Sequence, residues 1–153
     1  MGVSSLYPIN SAESILNAIN IGSDGTEIDI QLTKDNILVA FYDGQMGAST
    51  NIERSIRDHT WEELKNTSYN STQYLAYNIV RISDLLENIN NRSDHLLSFD
   101  IKLYPSLNEE ITPYLNDYIN AVSLLFNKYN LYSHCFIESQ SETFIAELAT
   151  ING

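Results

Sequence analysis

The sequence predicts an α/β fold in which parallel strands alternate with helices, and three observations carry that expectation. Four short runs have strand character (Thr26 to Leu32, Ile37 to Phe41, Leu96 to Lys102 and Ser133 to Glu138), and helical patterns intervene along the chain. Two of the runs alternate strictly. Ile28, Ile30 and Leu32 oppose Glu27, Asp29 and Gln31; Leu97, Phe99 and Ile101 oppose Ser98, Asp100 and Lys102. Successive strand side chains point to opposite faces, so each run has one apolar and one polar side. The Ile37–Phe41 run is nearly all apolar, as in a strand covered on both faces. A closed α/β barrel accommodates this pattern, with apolar sides against helices and polar residues near strand ends serving the C-terminal mouth. An open doubly wound sheet is the alternative on pattern alone.

Taken in order, Met1 to Ile9, with Gly2 and Pro8, reads as loop. Asn10-Ser11-Ala12-Glu13 is a capping-box start, with the Asn10 side chain as acceptor and Glu13 three residues on. The helix it opens runs to about Ile21, with Ile15, Leu16 and Ile19 on its apolar face, and Gly22 ends it. Asp24-Gly25 turns into the first strand, and Lys34-Asp35-Asn36 is the turn into the second. Gly44, Gly47, Ser49 and Thr50 mark a loop. Thr60-Trp61-Glu62-Glu63 is a second capping box, opening a short helix through about Lys65. Asn66 to Tyr77 is polar and tyrosine-rich without a clear period. Ser83 caps a helix of about Asp84 to Asn90. Thr112-Pro113 begins a long helix to about Tyr129, with Pro in the first turn, where its missing N–H costs nothing. The last helix is Ser141 to Ala149.

Composition narrows the function classes. A length of 153 residues with 43% hydrophobic residues suits one domain with a real core rather than a disordered chain. The net charge of -12, from 20 acidic against 8 basic residues, disfavours nucleic acid or an anionic membrane surface as partner. The single cysteine, Cys135, excludes an intramolecular disulfide and any cysteine-rich zinc site, and its apolar surroundings read as a buried thiol. No run of 18 apolar residues marks a membrane span, and the start of the chain lacks a basic-then-apolar signal.

Glu27 and Asp29 project from one strand face, where two carboxylates repel unless both reach solvent or a cation sits between them. Oxygen-rich carboxylate pairs suit Ca²⁺ and Mg²⁺. The competing reading is a half-buried strand with a wet acidic face. Asp100 and Lys102 pose the same choice, between a site and a same-face salt pair worth about 0–1 kcal/mol if exposed.

The wording of these stretches favours a site. GSDGTEIDIQLTKDNILVAFYD, Gly22 to Asp43, resembles the core of the glycerophosphodiester phosphodiesterase family, which reads G-A-D-x-I-E-x-D-V-x-L-T-K-D-G, a short apolar strand, then His-Asp. The matching residues are Gly22, Asp24, Glu27, Asp29, Leu32, Thr33, Lys34, Asp35 and Asp43. LLSFDIK resembles the family's later hydrophobic-x-E-x-K strand through Asp100 and Lys102, with Asp in place of Glu. The resemblance implies a partial TIM barrel of the phospholipase-C-like phosphodiesterase type, about strands 2–5 of eight, formed by residues 1–153 as a single incomplete domain. It implies a divalent cation, Ca²⁺ or Mg²⁺, held by Glu27, Asp29 and Asp100, with Lys102 binding the substrate phosphate. The implied partner is a small-molecule glycerophosphodiester, hydrolysed to an alcohol and glycerol phosphate.

Two family positions depart from the pattern. The catalytic His before Asp43 is Tyr42 here, and the N-terminal His-Arg-Gly motif is absent; Pro8-Ile9-Asn10-Ser11 sits where the family's Pro-Glu-Asn-Thr opens the first helix. His59, His95 and His134 fall in no family catalytic motif. A phenol is a poor base at neutral pH but a good hydrogen-bond donor. The expectation is therefore a weakly active or inactive enzyme, with a metal- and phosphate-binding module or a functionless gene fragment as the alternative. Open sheet edges predict self-association.

Overall fold

The computed structural model describes residues 6–70 and 77–152. Five strands form one sheet: β1 (Gly25–Leu32), β2 (Leu38–Ala40), β3 (Val80–Arg81), β4 (Leu96–Ile101) and β5 (Cys135–Ser139), in the order β3-β2-β1-β4-β5. β1, β4 and β5 run parallel, each joined to the next by a crossover. The helices are α1 (Ala12–Asn20), α2 (Trp61–Leu64), α3 (Ile82–Glu87), α4 (Ile111–Tyr129) and α5 (Glu142–Asn152). The sheet does not close, and the architecture is a partial α/β barrel.

One strand departs from the expected topology. The Ile37–Phe41 run is not a parallel barrel strand; its core, β2, returns antiparallel to β1, with Ile30 opposite Ala40 and Leu32 opposite Leu38. The connection leaves no other choice. A three-residue turn closes a hairpin, whereas a parallel neighbour needs a crossover of a dozen or more residues. Thr33 N–H to Ile37 O (3.0 Å) and Asn36 at φ 61 make that turn. β2 is covered on both sides as expected: Leu38 and Ala40 join the main core, while Val39 and Phe41 join a second core with Met46, Ile56, Leu64 and Tyr69. β3 escapes sequence reading because two residues carry no period.

The main core lies on the helix side of the sheet. Ile28, Ile30, Leu97, Phe99 and Ile101 meet Ile15 and Ile19 of α1 and Tyr118, Val122 and Phe126 of α4. The strict alternation read in β1 and β4 is thus the division between that core and the polar concave face. Asn130 at φ 52 ends α4, and Gly22 at φ 94 follows α1, an achiral residue where the chain must turn left-handed.

Helix starts differ from the sequence reading at two places. Ser11, not Asn10, caps α1, accepting from Ser14 N–H at 3.1 Å. α3 begins at Ile82 with Arg81 as its cap, two residues ahead of the expected Ser83 cap. The Thr60–Glu63 capping box is present as expected. Part of the Asn66–Tyr77 stretch, residues 71–76, lies outside the described residues. Buried Arg57 secures the far end of the β1–β2 hairpin, donating to Thr33 O (2.8 Å), Asn36 Oδ1 (2.7 Å), Glu109 and Asp117.

Candidate metal and phosphate site

The concave face gathers the charged residues. Glu27 and Asp29 stand two apart on β1, and Asp29 is in register with Asp100 on β4. Parallel neighbours lie about 4.8 Å apart, so this register alone brings the two aspartates side by side. One carboxylate oxygen from each of Glu27, Asp29 and Asp100 lies within 4.8 Å of the others. Asp29 is 1% exposed, and Glu27 and Asp100 are half-buried.

Lys102, two residues past Asp100, returns to the same face. Its Nζ lies 2.6 Å from Asp100 Oδ2 and 3.0 Å from Asp29 Oδ1. Burial works against the Lys102 charge, but the hydrogen bonds and negative charge of Asp100 and Asp29 outweigh it and hold the ammonium above its ordinary range. The same Nζ sits 5.4 Å from the centroid of the Tyr42 ring, within cation–π range. Tyr42 is half exposed at the rim. The segment carrying it is held by buried Gln31, whose Nε2 donates to Phe41 O (3.0 Å) and Asp43 O (2.9 Å). Every residue singled out from the sequence is therefore in one place: Glu27, Asp29 and Asp100 at the centre, Lys102 across them, Tyr42 against Lys102.

Two clefts flank this group. One, of about 500 Å³, is lined by Tyr7, Ile9, Phe41, Tyr42, Asp43 and Tyr69; the other, of about 280 Å³, takes Asp100, Lys102, Tyr104 and Ser139. Asp43 Oδ2 accepts from Ser49 Oγ at 2.6 Å. None of the three histidines belongs to the acidic cluster. His95 and His134 stand at the N-terminal ends of β4 and β5, and His59 Nε2 faces Glu53 O. Burial, with Arg92 nearby, lowers the His134 pKa.

Sequence reasoning assigned no site role to three members of this face. Asn10 was read as a helix cap, yet its Nδ2 donates to Asp29 Oδ2 at 2.7 Å while its Oδ1 accepts from Asp29 N–H at 3.0 Å. Gln31 was read only as part of the polar side. Glu138, in register with Asp100, hydrogen-bonds Ser98. The alternation of β1 marked Gln31; nothing local marked Asn10, whose partner is 19 residues away.

Residues 2–144 match the model of the glycerophosphoryl diester phosphodiesterase family. The chain belongs to that family. It is 31% identical over 112 residues to a glycerophosphodiester phosphodiesterase of Bacillus altitudinis, which covers 69% of this chain and 46% of that protein. It is 30% identical over 139 residues to one of Caldanaerobacter subterraneus subsp. tengcongensis, 86% of this chain and 57% of that protein. The chain thus spans about half the length of the curated relatives it matches. Among solved structures, a family protein from Silicibacter pomeroyi superposes with a TM-score of 0.84 at 16% identity, over 98% of this chain and 59% of that one. A phosphodiesterase from Oleispira antarctica, in complex with the product sn-glycerol-3-phosphate, gives 0.76 at 23% identity, over 98% and 59%. The partial barrel is thus the glycerophosphoryl diester phosphodiesterase fold over a little more than half of each neighbour. No helix among the described residues is long and apolar enough to cross a membrane.

Proposed function

We propose that this chain carries a site for divalent-cation-dependent hydrolysis of glycerophosphodiesters, releasing an alcohol and glycerol phosphate. The observation that carries it is the convergence of Glu27, Asp29 and Asp100 within 4.8 Å, next to a lysine. Three carboxylates supply the hard oxygen donors that Ca²⁺ and Mg²⁺ take. The position of Lys102, drawn against two of them, supports the same conclusion: the cluster needs a cation close by. The residue types therefore fit the group, and Glu27, Asp29 and Asp100 would hold it. A cation held there would neutralise phosphate oxygens and make an oxygen nucleophile easier to deprotonate.

The chain's own residues do the rest. Lys102 receives a phosphate oxygen as a point charge when it leaves the carboxylates. Tyr42 donates a hydrogen bond from the rim, at the position where the family pattern has a proton-transferring His. The clefts on either side leave room for the two arms of a diester, and the apolar, tyrosine-lined one suits the alcohol arm. Family membership supports hydrolysis over binding alone.

Calorimetric titration of Ca²⁺ and Mg²⁺ into the wild type and Asp29→Ala tests the cluster, with glycerophosphocholine turnover measured on both. The wild type is expected to bind a cation that the variant loses, with turnover lost alongside. Equal binding by both proteins rejects the assignment.

A further inference from the structure

We infer that Asn10 is a positioning residue for the acidic cluster, fixing which oxygen Asp29 offers to a cation. This rests on the reading of Glu27, Asp29 and Asp100 as a cation site. Asn10 is fully buried, and its single amide group grips Asp29 twice. Nδ2 donates to the carboxylate oxygen Oδ2 at 2.7 Å, and Oδ1 accepts the backbone N–H of the same residue at 3.0 Å. Asn suits this task because its side chain carries a donor and an acceptor on one planar group. With Oδ2 committed to Asn10, the carboxylate cannot rotate freely, and Oδ1 faces Lys102. When a cation displaces the ammonium, Oδ1 is the oxygen already presented.

The backbone shows that Asn10 is placed for this contact. Asn10 adopts φ 63, a left-handed conformation that non-glycine residues rarely take and Asn tolerates best. Helix capping does not explain it, since Ser11 makes the cap. The turn is braced on both sides: Ser11 N–H donates to Pro8 O at 3.1 Å, and α1 begins at the next residue. Asp29 also has no strand partner for its N–H at this point. Its carbonyl accepts from Phe41 N–H at 3.0 Å, while its N–H goes to Asn10. Residues that hold sparsely populated backbone conformations cluster at functional sites. The same turn forms one wall of the larger cleft through Tyr7, Pro8 and Ile9, so one rigid segment sets the cluster and its neighbouring pocket together.

Asn10→Gly in the full chain separates this role from a structural one. Glycine accepts the left-handed backbone without strain but removes the amide. Calorimetry with Ca²⁺ should show affinity weakened about 10–100-fold in the folded variant, the usual consequence of losing a residue that orients a metal ligand, beside a lowered metal-free thermal midpoint from the lost hydrogen bonds to buried Asp29. Hydrogen exchange at the Asp29 amide should quicken. Asn10→Ser, whose shorter side chain cannot reach both atoms, is a second variant read the same way. Unchanged Ca²⁺ affinity in a folded variant overturns the positioning role and leaves the cluster standing. A wild type that binds no divalent cation overturns the cluster and this inference with it.

Discussion

Lys102 offers the sharpest test of how the charges on the concave face balance. Lys102→Met keeps the aliphatic length and deletes the ammonium. In the wild type that group sits 2.6 Å from Asp100 and 3.0 Å from Asp29, with side-chain exposures of 17% for Lys102, 23% for Asp100 and 1% for Asp29. Removing one partner of a buried ion pair costs about 3–5 kcal/mol, because the charge left behind is uncompensated. Since Lys102 and Asp100 retain some contact with water, the low end applies, about 3 kcal/mol. In a chain of this size each kcal/mol moves the melting midpoint by roughly 2–4 °C, so the midpoint should fall by roughly 6–12 °C without metal. A cation should then restore much of the loss. At a free concentration of 100 times Kd, a ligand specific for the native state contributes about 2.7 kcal/mol. Because the cation no longer competes with the ammonium for Asp29 Oδ1 and Asp100 Oδ2, Ca²⁺ should also bind the variant more tightly. Urea denaturation with and without Ca²⁺, together with calorimetry, reads both effects. If Lys102→Met matches the wild type in metal-free stability and in Ca²⁺ affinity, Lys102 is not the counter-ion of this cluster and the electrostatic argument fails.

Three further outcomes are expected. Tyr42→His should raise glycerophosphocholine turnover by up to the roughly 10²–10⁴-fold that a placed acid–base group contributes; no change in rate would detach position 42 from the chemistry. β5 is the edge of the sheet and presents Phe136, 59% exposed, on the face it shares with Ser98, so the wild type should self-associate in sedimentation velocity and Phe136→Lys should weaken that association; a monomeric wild type at all concentrations counts against the edge as an interface. Burial and Arg92 lower the His134 pKa, so as pH falls below the ordinary value near 6.5 the unfolded chain takes up the proton first; stability present above that pH should be lost on acidification, and His134→Leu should flatten the slope in pH-dependent urea titrations, an equal slope placing the titrating group elsewhere.

Much of the barrel segment was legible because its strands carry one apolar and one polar face. A strand with one face on helices and one on a polar concavity must alternate, and β1 and β4 do so without exception from Ile28 to Leu32 and from Leu97 to Ile101. That alternation also put Glu27, Asp29, Asp100 and Lys102 on one side, and the parallel register brings them together. The strand misassigned in direction, β2, was misread because an apolar run has no face to declare. Its direction follows from the length of the turn before it. β3 and the Arg57 anchor were invisible for a different reason: two residues have no period, and Arg57 acts on partners 24, 21, 52 and 60 positions away.

Asn10 shows where local rules stop and why. Its neighbours Ser11, Ala12 and Glu13 form a helix start by every local criterion, and the helix is there. Only the cap is displaced by one residue, because the Asn10 side chain is engaged with Asp29 instead. Two local preferences are broken in the same contact. A carboxylate is buried to 1% exposure in the middle of a strand, and a non-glycine residue holds a positive φ. Either feature alone is unfavourable for folding. Together they satisfy each other, since the amide supplies the donor that the buried carboxylate lacks and the carboxylate holds the turn that the backbone resists. An apolar residue at position 29 would suit a barrel strand packed against neighbours on both sides. The chain instead keeps a charge there, supported by an amide from one side and an ammonium from the other. That support leaves one carboxylate oxygen facing the cluster, which is the arrangement a cation-binding site requires and a purely structural strand does not.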